Sequence, residues 1–478
     1  MLYKTCVTRW QIWRRYFVII GGIFIYLPIG VPWYFGNLAT YINSYYHSNL
    51  PTDHDVVDPQ WIFSAFFITF SLAIIVSGYL SNKYGPRLIV LSAMIIHSTA
   101  TFCSFLAIQH SMVALILTFG AVGGLGAGLA YGPPLPVVIK WMPRRVGLAS
   151  GALMTGFGGG AVFYNELVTF FINPDNLKPD VKGEHTTYFS QPKILAKIPV
   201  LFLLLGALTV ALQTVGILLL RLPQEGDEIE AVEMQEVMPI VPDKMAPNKM
   251  APDKMAPEPS TQTSSIREAN GEQTTRERSE VKVEEVSNKT PLEVLKTLDF
   301  YILWLALAFN HYGYIIKNNY YKEFGQLVID NDHFLTTTGT VATVGVSLAR
   351  LAWGVTTDWL GVKLTLLVFT TCTTVVTVFW YFTLFVSPGL YMFWVIAVSA
   401  VFTGAFILFP LAALRCFGEQ HYATNYGLIL SAQIVLNLVS PPIIKLLLVN
   451  FGWFWLFFSI AFVNFLGTLA LLFLHDPS

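Results

Sequence analysis

Arg350 is the residue with the most to explain. It stands in Val344-Gly345-Val346-Ser347-Leu348-Ala349-Arg350-Leu351-Ala352-Trp353-Gly354, inside a long apolar stretch, and the nearest downstream carboxylate is Asp358. A charge at bilayer depth is costly, and such residues face a cavity and carry function as a rule. A guanidinium without a partner on its own helix invites an anion, most naturally a carboxylate held through two N–H bonds. The competing reading is an arginine paired with a carboxylate from another helix.

Other polar residues fall in apolar surroundings. His97 lies mid-way along an apolar run; a ring satisfied between helices is the first reading and a proton carrier the second. Glu166 follows Asn165 near the end of another run. It reads as interfacial, with proton coupling as the alternative. Asn310-His311 are placed to line a cavity, and Trp33 and Tyr34 read as packing aromatics or wall residues. Lys317 and Lys322 are expected near a helix end, where long side chains snorkel toward the interface. Arg415 reads as an interfacial anchor.

The elements that carry these residues follow from composition. Of 478 residues, 54% are hydrophobic and only 12% are charged, about half the charged share of a soluble protein. That makes the chain a polytopic, all-α membrane protein in a lipid bilayer. The net charge of −1 offers no basic field for nucleic acid. The four cysteines (Cys6, Cys103, Cys372, Cys416) lack metal or disulfide spacing. No nucleophile–base pattern appears, so neither an enzyme nor a cofactor is expected. The first apolar run follows Arg14 and Arg15 and is too long for a cleavable leader, so it reads as a membrane span.

A helical span takes roughly 20 apolar residues. Spans are therefore expected near 16–40, 59–80, 88–108, 112–139, 146–172 and 197–220. After a polar gap they resume near 298–319, 334–357, 364–386, 389–414, 421–448 and 452–474. About twelve spans result, in two sets of six: an N-terminal bundle over 1–220 and a C-terminal bundle over 297–478. Basic residues cluster before the first span (Lys4, Arg9, Arg14, Arg15), after the second (Lys83, Arg87) and after the fourth (Lys140, Arg144, Arg145). Both termini and the central loop are thus expected in the cytoplasm. The loop 173–196, with Lys178, Lys182 and Lys193, disagrees with the majority. The plasma membrane is preferred to an organelle.

The gap 221–296 is rich in Glu, Lys, Pro, Ser and Thr and contains a tandem repeat, Asp243-Lys-Met-Ala-Pro, Asn248-Lys-Met-Ala-Pro, Asp253-Lys-Met-Ala-Pro. Such composition cannot bury enough surface to fold. It reads as a disordered cytoplasmic linker, with a docking segment for a cytosolic partner as the alternative; Ser264, Ser265 and Ser279 are candidate phosphate acceptors.

Two loops correspond across the halves. Gly78-Tyr-Leu-Ser-Asn82-Lys83-Tyr-Gly85-Pro-Arg87 matches Gly354-Val-Thr-Thr-Asp358-Trp-Leu-Gly361-Val-Lys363 in the spacing of glycine, acid or amide, glycine and cation. Recurrence at equivalent places marks an internal repeat of the kind that forms the two halves of major facilitator transporters. A carboxylate near a helix end can pair with a cation on a neighbouring helix in one conformation and lose it in another. Gly78, Asn82, Arg87, Gly354 and Asp358 are therefore expected to form a cytoplasmic latch, weaker in the first copy because Asn82 stands for an acid. Between them lies a glycine-dense run from Gly120 to Gly160, in which Pro133-Pro134-x-Pro136 should bend the fourth span below Tyr131.

Tyr131-Gly-Pro-Pro, then Lys140-Trp-Met-Pro-Arg-Arg-x-Gly-Leu-Ala-x-Gly and Gly156-Phe-Gly, resemble the oxalate/formate antiporter family of the major facilitator superfamily. So do Tyr321-Lys322-x-Phe324-Gly325-Gln326, Ala349-Arg350-x-x-Trp353-Gly354-x-x-x-Asp358 and Asn425-Tyr-Gly-Leu. Monocarboxylate transporters are related and share the arginine of the eighth span. The resemblance implies small organic anions moved by alternating access, with basic residues on the eighth and eleventh spans and aromatic walls. Arg350 matches the first cation and Tyr131 the aromatic of the fourth span. The second cation is replaced by Gln433.

One cation suits one carboxylate. The expected cargo is therefore a monocarboxylate such as pyruvate, lactate or formate, bound by Arg350 with Tyr131 and Gln433 shaping the pocket. The membrane part of the first span has no lysine, which points to exchange or uniport; proton-coupled symport is the alternative. A further alternative is a non-transporting receptor or scaffold that signals through 221–296.

Overall fold

The computed structural model describes residues 2–50, 58–142, 146–183, 186–223, 288–418 and 421–475. The pentapeptide repeat, the serines of the central gap, Arg144 and Arg145 lie outside the described residues, as does the side chain of Asn82. Among the described residues the chain is almost wholly helical. Eight segments are long and apolar enough to cross a bilayer. Three further long helices carry more polar residues, and the last apolar segment is broken at Gly452, which makes twelve crossings.

The first crossing is longer than the sequence suggests and is interrupted. It comprises α1 (Leu2–Tyr26) and α2 (Val31–Asn49). Pro28 and Pro32 each lack an N–H, so the hydrogen-bond ladder cannot run through 27–30. α3 (Gln60–Tyr84) and α4 (Pro86–His110) meet at Gly85, whose φ of 88° suits glycine. The fourth crossing is α5 (Met112–Leu115), a π-helical stretch Ile116–Val122, α6 (Gly123–Tyr131) and α7 (Pro134–Trp141). Its break just below Tyr131 is the one the prolines predict.

α8 (Val146–Ile172) leads to a two-stranded antiparallel hairpin, β1 (Val181–Lys182) and β2 (Thr187–Tyr188). The short α9 (Pro192–Leu195) and α10 (Lys197–Leu219) complete the first set. The short α11 (Pro291–Val294) carries a capping box of Thr290 and Glu293. It is held by Lys289 N–H on the Phe417 carbonyl (3.0 Å) and by Asn425 Nδ2 on the Lys289 carbonyl (3.0 Å).

The second set is α12 (Leu298–Gly325), α13 (Asp332–Leu360), α14 (Val362–Val386), a tenth crossing in two pieces, α15 (Pro388–Phe402) and α16 (Ala405–Phe417), and α17 (Tyr422–Leu472), which spans twice. α4 packs on α10 and α6, and α1 on α10 and α8; α12 and α14 pack on α17, and α13 on α15. Two six-helix bundles result. Apolar side chains such as Leu106, Leu218, Phe393 and Phe473 are exposed on the outside, where lipid is the fitting solvent.

The bundles are joined unequally. One continuous apolar core runs through the N-terminal bundle and into one half of the C-terminal bundle. A second core, including Phe300, Phe369, Phe409 and Leu471, is confined to the other half of the C-terminal bundle. The bundles therefore close on each other at the end that carries residues 173–191 and 326–331, called here the sealed end. Gly36 of α2 lies so tightly against the Asn318 carbonyl of α12 that a side chain could not be added there without displacing one helix.

Candidate substrate site

Arg350 projects from α13 between the two bundles. Its guanidinium lies 5.5 Å from the Trp33 ring of α2 and 5.6 Å from the Phe406 ring of α16. Its Nε donates to Thr403 Oγ1 at 3.0 Å. The two terminal nitrogens have no hydrogen-bond partner among the described residues. The ionisable groups that act on its charge are the hydroxyls of Tyr314 and Tyr131. Pairing with a carboxylate from another helix, the competing reading of Arg350, is not seen among the described residues. Thr403 holds one edge of the fork, the adjacent rings of Trp33 and Phe406, 6.1 Å apart, border it, and among the described residues the edge that grips a carboxylate is left available.

The aromatic wall continues from Trp33. Its ring lies edge-on to Phe157 (6.1 Å) and Tyr314 (5.9 Å). Phe157 meets Tyr131 at 5.2 Å, and Tyr131 stacks on Tyr26 at 5.0 Å with the planes 7° apart. The Tyr131 hydroxyl reaches Met154 Sδ at 3.5 Å, and its carbonyl accepts from the Tyr26 hydroxyl at 2.5 Å. Trp33, read from sequence as packing or wall, touches Arg350 directly. Gln433 is half-buried and its side chain has no hydrogen-bond partner among the described residues, but no contact joins it to Arg350. Its carbonyl accepts from Asn437 Nδ2, which also meets His311 Nε2 at 2.8 Å.

Lys317 and Lys322 correct an expectation. Neither is at the interface: Lys317 is 8% exposed and Lys322 fully buried, because α12 runs on to Gly325 and turns both inward. Lys317 lines a small cavity with Trp33, Tyr321, Thr343 and Val346 and has no ion-pair partner among the described residues. Val346 is one turn from Arg350 on α13, and Trp33 borders both the Lys317 cavity and the Arg350 guanidinium.

Lys322 is the centre of the sealed end. Its Nζ pairs with Asp332 at 2.7 Å and donates to Asn37 Oδ1 at 2.5 Å and Thr336 Oγ1 at 3.1 Å. Asp332 also accepts from the Tyr41 hydroxyl and from Asn173 Nδ2 at 3.0 Å. Thr169 and Thr336 hydroxyls meet at 2.7 Å. Lys322 and Asp332 belong to one bundle; Asn37, Tyr41, Thr169 and Asn173 belong to the other. A buried ion pair needs its remaining hydrogen bonds satisfied, and here the opposite bundle satisfies them. Glu166 sits in the same seam rather than at a lipid interface, accepting from Thr340 Oγ1 at 2.9 Å.

The chain matches the profile of the Major Facilitator Superfamily over residues 16–316. It belongs to the Major Facilitator Superfamily. This superfamily member is 24% identical over 91% of its length to "Apicoplast pyruvate carrier 1" of Toxoplasma gondii, covering 84% of that protein. It is 23% identical over 82% of its length to "Oxalate:formate antiporter" of Oxalobacter formigenes, covering 76% of that chain. A crystal structure of a D-xylose–proton symporter superposes with a TM-score of 0.66 at 12% identity, covering 98% of both chains. The protein is thus a multi-pass membrane transporter of this superfamily, resembling the oxalate/formate antiporters.

The remaining expected site residues stand apart from Arg350. Asp358 is exposed and has no ion-pair partner among the described residues. Gly78 and Gly354 meet no neighbour within 4 Å of an added Cβ. Arg87 turns back on its own bundle, donating to the carbonyls of Leu218 and Leu220 at the end of α10. Among the described residues no hydrogen bond or ion pair joins Arg87 to Asp358. His97 is buried between α4 and α6, its Nδ1 2.9 Å from the Gly123 carbonyl. An added Cβ on Gly126 would come within 2.6 Å of the His97 backbone, so this histidine is part of a close helix contact.

Proposed function

We propose that this transporter moves small monocarboxylates such as pyruvate, lactate or formate by alternating access, with Arg350 holding the carboxylate. The observation that carries the reading is the half-satisfied guanidinium: Nε is fixed by Thr403, the terminal nitrogens are without a hydrogen-bond partner among the described residues, and the neighbouring rings of Trp33 and Phe406 border it. The names of the two relatives, a pyruvate carrier and an oxalate:formate antiporter, support the substrate class. Anion binding would favour one conformation only through unequal affinity for the two. Because Trp33 belongs to one bundle and Arg350 to the other, an anion bound between them strengthens one pairing of the bundles. When the sealed end parts, Gly78, Arg87, Gly354 and Asp358 approach at the other end and form the cytoplasmic latch.

Lys317 favours a second reading. The cation missing at Gln433 is offset by one on α12, and two cations suit a dicarboxylate such as oxalate. Purified protein in liposomes, offered labelled pyruvate, lactate, formate and oxalate, separates the two. The monocarboxylate reading expects pyruvate uptake to persist in Lys317→Met. Strong oxalate uptake that Lys317→Met abolishes, with no pyruvate uptake in the parent, overturns it.

A further inference from the structure

A polar cavity at the sealed end plays no part in the anion site. Asn43 of α2, Asp58 and Gln60 at the start of α3, and Asn319, Tyr320 and Glu323 of α12 line it. One bundle contributes the first three and the other the last three. Glu323 is 4% exposed, and its one hydrogen bond among the described residues is a long one from Asn43 Nδ2, at 3.4 Å. Asp58 accepts the Gln60 N–H at 2.7 Å. Asp58 acts electrostatically on Glu323, and Lys445 of α17 acts on Asp58. Tyr320 is within electrostatic reach of both carboxylates and of Tyr312.

Among the described residues, three polar atoms around this cavity have no hydrogen-bond partner: Asn43 Oδ1, Gln60 Nε2 and Asn319 Oδ1. Gln60, Asn319 and Tyr320 are themselves more than nine-tenths buried. Buried polar groups of this kind call for a hydrogen-bond partner. Gln60 Oε1 is already taken by Asn319 Nδ2 at 2.7 Å, so the free Gln60 amide offers N–H donors to the cavity and would repel a metal cation. A proton shared with a bridging water satisfies both donors and acceptors.

Two carboxylates in one buried site disfavour double ionisation, and the pair titrates as a unit. We propose that Glu323 and Asp58 form a proton-binding site that couples closure of the sealed end to uptake of one proton. Closure brings the carboxylates together across the bundle seam and takes the proton from the solution on that side. Opening separates them, hydrates both and releases it. The proton is taken from and returned to the same side, so the site makes the balance between sealed and open conformations depend on pH and moves no net proton across the membrane.

The test uses the full chain with its cysteines replaced and spin labels at positions 178 and 328, on either side of the sealed rim. The separation is measured at pH 5 and pH 8 without substrate. The parent is expected to shift toward the sealed distance at pH 5. Glu323→Gln is expected to stay sealed at both values, and Asp58→Asn to lose most of the pH response. A parent that shows no pH response overturns the proposal. So does a Glu323→Gln protein that keeps the parental response, since the titration would then belong to another group such as His333, which lies beside Asn173 in the same seam.

Discussion

Tyr41 offers a single-atom test of how the sealed end is held. Its hydroxyl donates to the Asp332 carboxylate across the bundle seam and lies 3.4 Å from Lys322 Nζ. Tyr41→Phe removes that oxygen and leaves the ring, which stacks on Phe189 (5.6 Å) and lies 4.6 Å from the Lys322 ammonium. Asp332 keeps Lys322 at 2.7 Å and Asn173 at 3.0 Å, so the ion pair itself survives. A hydrogen bond to a charged group contributes about 1.5–3 kcal/mol, and the remaining partners Lys322, Asn173 and, at 3.4 Å, Gln326 place this one near the lower value. In the conformation open at this end both groups meet water, so the loss falls on the sealed state alone.

The sealed-to-open ratio should therefore fall about ten- to thirtyfold. Spin labels at positions 178 and 328 report it as a growing population at long separation. Loss of the neighbouring Lys178–Asp330 pair on labelling matters little, because both side chains are mostly exposed (3.3 Å apart, 68% and 70%). An unchanged distance distribution in Tyr41→Phe, with thermal stability also unchanged, would show that the seam is not held by this network.

Gly36→Ala should wedge the same end apart, because its Cβ collides with the Asn318 carbonyl of the opposite bundle. Overpacking of this kind costs about 1–3 kcal/mol, and the same labels should report a larger open fraction with the bundles still folded. Trp33→Ala should raise the KM for the transported anion more than it lowers maximal flux. The ring positions Arg350 through a cation–π contact of about 0.5–2 kcal/mol, so a few-fold to thirtyfold rise is expected, and Trp33→Phe should recover part of it; an unchanged KM would remove Trp33 from the site.

The bundles were legible because their signal is local. Twenty apolar residues suffice to declare a span, and Gly85, Gly361 and Gly452, all with positive φ, punctuate the tight connections. The break after Tyr131 was legible from its prolines. α12 was cut short because Lys317, Asn318, Asn319, Lys322 and Glu323 look like an interface when their partners are invisible. Those partners, Asn37, Tyr41, Asn43 and Gln60, come from some 260 or more residues earlier in the chain. Arg350 announced itself by lacking a local carboxylate. Its neighbours Trp33, Thr403 and Phe406 could be found only once the bundles were folded together. Glu166 likewise changed from an interfacial residue to a member of the seam when Thr340 was placed against it.

The most direct measurement is uptake of labelled pyruvate into liposomes by the parent, Arg350→Ala and Arg350→Lys. Loss of a two-pronged, charge-assisted grip should lower transport efficiency by about a hundredfold or more in Arg350→Ala. Lysine should restore only a small part, since a point charge cannot reproduce the planar fork. Melting temperatures close to the parent's would show that the fold is intact. Pyruvate flux in Arg350→Ala equal to the parent's would contradict the assignment of Arg350 as the group that holds the anion.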